Sequence, residues 1–81
     1  MYTNDMKRAF RSLDSLCPKG FYVDIFDNDM FITILAKEDV FMRLDDFEKR
    51  RAVEYMSKVK MAFEANGAIV LVVREGGKDV E

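Results

Sequence analysis

Eighty-one residues form one small domain, and a chain this short buries only about 60% of the surface its unfolded form exposes. Hydrophobic residues at 49% and aromatics at 12% exclude a disordered chain, while a balanced 35% charged fraction with net charge −2 argues against a domain built mainly to grip phosphate backbones. Cys17 is the only cysteine and histidine is absent, which excludes an intrachain disulfide framework, a thiolate metal cage and the commonest general base.

Taken in chain order, the first element is a helix over residues 3–16. Met6, Ala9, Phe10, Leu13 and Leu16 recur at spacings of three and four, and Tyr2 extends the stripe one turn back. Thr3, Asn4 or Asp5 caps its start, and Pro18 with Gly20 stops it. Residues 21–26 and 30–36 follow as strands, rich in β-branched and aromatic side chains that alternate between two faces. Residues 40–44, VFMRL, read as a third short strand after the turn KED.

A longer helix is predicted over residues 46–65. Asp45 and Glu48 have the spacing of a capping box, Ala52, Val53, Met56, Val59 and Phe63 form its apolar stripe, and Gly67 supplies the left-handed residue that closes it. The last strand, AIVLVVR at 68–74, is continuously apolar, so it is expected in the sheet interior with both sides buried. EGGKDVE, residues 75–81, has loop composition and is expected to fray.

The stretch DIFDND, residues 24–29, concentrates three carboxylates and an amide. A calcium loop of the EF-hand type would need acidic or amide residues at alternate positions and glycine at the sixth, where this chain has Asp29. A tight turn explains the composition better, because Asn and Asp tolerate left-handed backbone. With Asp27 and Asn28 as loop residues, Val23 faces Ile32, Ile25 faces Met30 and Phe21 faces Ile34, so one face of the hairpin is wholly apolar. No metal, cofactor or catalytic residue is therefore assigned. The serines lack a base partner, and Cys17 has only Lys19 beside it in sequence to lower its pKa.

These elements predict an α+β fold: a small single-domain sandwich spanning residues 1–81, in the order α-β-β-(β)-α-β. Its three- or four-stranded, mostly antiparallel sheet packs on two helices, with a parallel right-handed crossover available around the long helix. The second sheet face carries Tyr22, Phe26, Phe31 and Leu35, interleaved with Asp24 and Thr33. Two arrangements satisfy this pattern: the first helix covers that face in a third layer, or the face stays open. An open apolar face of several hundred Å² marks an interaction site.

The expected function is binding without catalysis, to a protein partner or to a second copy of the chain. The expected contacts are Tyr22, Asp24, Phe31, Thr33, Phe41 and Arg43 on the sheet and Phe47 and Arg51 on the long helix. The alternative is a single-stranded nucleic-acid module that stacks bases on the sheet aromatics; negative net charge and the absence of a Gly-aromatic signature weigh against it. A small enzyme using carboxylates alone is the weakest reading, since no acid/base pair stands out. Charges in MYTNDMKRAF fall where a signal peptide is apolar, and the longest apolar run, AIVLVV, is far short of a membrane span. A cytoplasmic location is expected, that of an infected host included. In size, self-containment and cysteine poverty the chain resembles phage- or mobile-element-encoded inhibitors of host or defence complexes, anti-CRISPR proteins among them. No motif carries the likeness, and it implies action by binding.

Overall fold

In the computed structural model, which describes residues 1–75, the first helix α1 (Asn4–Ser12) begins at Thr3, whose hydroxyl accepts a hydrogen bond from Met6 N–H at 3.2 Å. The helix is shorter than its apolar stripe suggests. A 3₁₀ turn at Asp14–Leu16 takes over, and its tighter winding carries Leu16 off the buried side into solvent. Gly20, at φ +83°, then turns the chain towards the sheet.

Strands β1 (Val23–Asp27) and β2 (Ile32–Lys37) form the expected hairpin in a different register. Val23 pairs with Ala36, Ile25 with Ile34 and Asp27 with Ile32. The tip lies two residues later than expected, at Asp29 and Met30, with Asn28 N–H donating to the Phe31 carbonyl at 3.2 Å and Asp29 at φ +76°. Side-chain chemistry places it there. Asn28 Oδ1 accepts from Met30 N–H at 3.0 Å and Phe31 N–H at 2.9 Å, and Asp27 Oδ1 accepts from Asp29 N–H at 2.9 Å. Moving the tip by two residues leaves the paired side chains of β1 and β2 on their expected faces, because strand side chains alternate with period two, but Met30, expected on the apolar face opposite Ile25, is at the exposed tip instead.

Residues 40–44 do not form a strand. They belong to a short helix, α2 (Glu38–Met42), and its C-terminal turn. Glu38 and Asp39 occupy the first turn, where the helix dipole favours negative charge, and Val40, Phe41 and Leu44 turn inward at helical spacing. The optional strand of the sequence reading is thus a helix, and the order is α-β-β-α-α-β.

Helix α3 (Asp46–Ala65) starts at Asp45, whose carboxylate accepts from Glu48 N–H at 2.8 Å. It ends in a Schellman arrangement: Gly67 N–H donates to the Glu64 carbonyl at 3.0 Å and Ala68 N–H to the Phe63 carbonyl at 3.2 Å. Ala52, Met56, Val59 and Phe63 are buried as expected. Val53 and Tyr55 exchange the roles the stripe suggests, Val53 being 53% exposed and Tyr55 only 3%. The buried line runs through 52, 55, 56, 59 and 63, and Val53 lies off its edge.

Strand β3 (Val70–Glu75) lies parallel to β2, with Ile32 against Val70 and Ile34 against Val72, and the sheet order is β1-β2-β3. The expectation of an interior strand is therefore corrected: β3 is an edge. The α2–α3 crossover delivers it to the side of β2 that β1 leaves free, and among the described residues no strand follows. Of the predicted tail 75–81, Glu75 ends β3 and the rest lies outside the described residues.

Both long helices pack on one sheet face. Ile32, Ile34, Ala36 and Val70 meet Ala52, Met56, Val59 and Phe63 there in one buried cluster. Tyr2 and Phe10 bring α1 onto the same side, with ring centroids 5.7 and 6.2 Å from that of Phe63. The result is a two-layer α+β domain, and no third layer forms among the described residues.

Candidate partner-binding surface

The face turned away from the helices is built by strand alternation. Paired residues 26–33–71 and 24–35–73 make two rows across it, Phe26-Thr33-Leu71 and Asp24-Leu35-Val73. No helix covers these rows among the described residues. Phe26 is 53% exposed, Leu71 47% and Val73 38%, while Thr33 and Leu35 are half-buried by their strand neighbours. Five of the six side chains offer carbon surface to solvent, with Asp24 at one end.

The eight expected contact residues divide between regions. Asp24 and Thr33 lie in the two rows, Tyr22 is exposed just before β1, and Phe31 is half-buried at the hairpin turn. Phe41 is not a surface residue. It is buried on α2, with its ring against Phe21 and the Arg74 guanidinium over it, so its assignment as a contact is corrected. Arg43 is exposed at the end of α2, 3.5 Å from Asp39. Phe47 is exposed on the first turn of α3, and Arg51 bonds Glu48 at 3.3 Å. These last residues belong to the helical layer and do not share the open sheet face. Leu71 and Val73 were missed as surface residues because a continuous apolar run reads as an interior strand. The run was visible; its position at the edge was not.

The acidic stretch is used by the backbone. Asp27 accepts from the Met1 ammonium at 2.6 Å and from Tyr2 N–H at 2.8 Å, tying the start of the chain to the hairpin. The ammonium and the Asp29 and Tyr2 N–H groups hold its carboxyl down at about 2. The Cys17 thiol donates to the Phe21 carbonyl at 3.3 Å, and burial pushes its pKa up, against thiolate formation. Burial raises Tyr55 likewise. Among the described residues, no three His, Cys, Asp or Glu side chains are grouped so as to hold a metal ion, and no helix is long and apolar enough to cross a membrane.

No protein-family model, curated protein or solved structure matches this chain.

Proposed function

We propose that this protein acts without catalysis, by binding a protein partner on the open sheet face. The observation that supports this most is the largely apolar pair of rows across β1, β2 and β3, which no helix covers among the described residues while the helices pack behind them. Exposed apolar patches of this kind favour association, because covering them removes carbon surface from water. The raised Cys17 pKa and the structural use of Asp27 and Asn28 favour binding over chemistry. A protein suits the face better than a nucleic acid does. Its rows hold aliphatic side chains beside one aromatic, and Asp24 adds negative charge where phosphates would approach. An inhibitor that occludes a surface of a host or defence complex would work in this way.

The test is co-purification by the wild-type chain and by Leu35→Glu, Phe26→Glu and the helical-layer control Phe47→Glu, followed by titration of the captured protein in purified form. Binding should be lost in both face variants and retained by Phe47→Glu. Equal capture by all four would overturn the reading. Salt-sensitive binding to a labelled single-stranded oligonucleotide, lost with Phe26→Glu, would favour the nucleic-acid alternative.

A further inference from the structure

The two edges of the sheet are defended unequally. β1 carries Asp24 and Asp27 within its five residues. β3 places its two charges, Arg74 and Glu75, at its C-terminal end, and residues 69–73, leading into and along it, read Ile-Val-Leu-Val-Val, a run without the charge or proline that keeps edge strands from pairing. Ile69, Leu71, Val72 and Val73 are all exposed there. Ile32 N–H donates to the Ile69 carbonyl at 2.8 Å. The alternation of a parallel ladder therefore turns the N–H and C=O groups of Leu71 and Val73 towards β2. Those of Val70, Val72 and Arg74 point to the open edge.

We propose that β3 pairs antiparallel with β3 of a second copy, about a two-fold axis through residue 72, joining two three-stranded sheets into one of six strands. The outward-facing positions 70, 72 and 74 are symmetric about 72, so an identical strand satisfies all of their backbone donors and acceptors at once. In this register Val72 faces Val72, Leu71 faces Val73 and Val70 faces Arg74. Glu75 faces Ile69, so no like charges meet across the axis. On the helix side, Val53, Met56, Val72, Val73 and Arg74 line a groove beside the edge. A second copy would extend that groove across the axis and cover the exposed Val53 and Val72 side chains. The pairing uses the edge and leaves Phe26, Thr33 and Leu35 open, so it stands independently of the partner-binding reading.

The test is solution mass by light scattering over a wide concentration range, with residue-resolved amide exchange on the same wild-type protein. The expected mass is twice 9.4 kDa, with the Val72 and Arg74 amides protected. Val72→Pro removes an N–H that points only to the edge, so the variant should keep its circular dichroism and return to 9.4 kDa. Leu35→Glu should remain a dimer. A wild-type mass of 9.4 kDa throughout, or fast exchange at Val72 and Arg74, overturns the proposal even if Val72→Pro does not fold. A dimer that survives in folded Val72→Pro overturns it too, as does one that Leu35→Glu abolishes. The first would place the interface elsewhere, and the second would place it on the sheet face.

Discussion

Arg74, in β3, holds Glu38, the first residue of α2, across 36 positions of sequence: Nε donates to Oε1 at 2.8 Å and Nη2 to Oε2 at 3.3 Å. The same guanidinium lies 4.9 Å from the centroid of the Phe41 ring. One side chain thus joins the crossover helix to the strand it delivers. The pair is partly exposed, so solvent screens it, and the ion pair contributes at most about 1 kcal/mol with a similar amount from the ring contact. Arg74→Ala should cost about 1 kcal/mol in urea unfolding and Arg74→Lys part of that, since lysine lacks the planar fork. A midpoint unchanged in both would show that the clasp adds nothing.

Phe63 and Phe47 sit on the same helix with opposite consequences. Phe63 is fully buried and receives the rings of Tyr2 and Phe10. Phe63→Ala should remove about 3–5 kcal/mol, a large part of the total stability of a chain this size. Phe47 is exposed, and Phe47→Ala should stay within about 0.5 kcal/mol of wild type. Thermal melts of the two variants would check the contrast.

Asp27 makes stability depend on acid. Its folded pKa, about 2, lies below its ordinary 3.8, so its contribution is fully present above pH 4 and is lost as pH falls towards 2. Asp27→Asn should be less stable than wild type at neutral pH, and the difference should shrink on that acid limb. Urea midpoints measured across this range would test it; a constant gap would locate the effect in something other than the carboxylate charge.

Gly67 closes α3 at φ +91°, and a Cβ placed there would meet nothing within 4 Å. The cost of Gly67→Ala is then purely one of backbone conformation, about 1 kcal/mol. Gly67→Asn should cost less, because asparagine tolerates the left-handed region. Equal losses for the two in chemical denaturation would contradict this account.

Much of this protein was determined locally. Helical spacing marked Met6, Phe10, Ala52, Met56, Val59 and Phe63 as core, Thr3 and Asp45 were among the expected caps, and Gly67 was marked as the stop. These signals are legible because capping and periodicity act within a few residues of chain. The hairpin faces also survived a misplaced turn, since two residues of slip preserve strand parity. Tertiary structure decided the rest. Residues 40–44 are β-prone in isolation, but packing of Val40, Phe41 and Leu44 against the core, with Arg74 over the Phe41 ring, draws them into a helix and its final turn. The apolar run at 69–73 describes a strand without saying which neighbours it has; the crossover sets β3 at an edge. The same packing puts α1 and α3 on one side, which among the described residues leaves the Phe26, Leu35 and Leu71 face open. Strand order and the choice of covered face depend on contacts between residues tens of positions apart, and no local pattern encodes them.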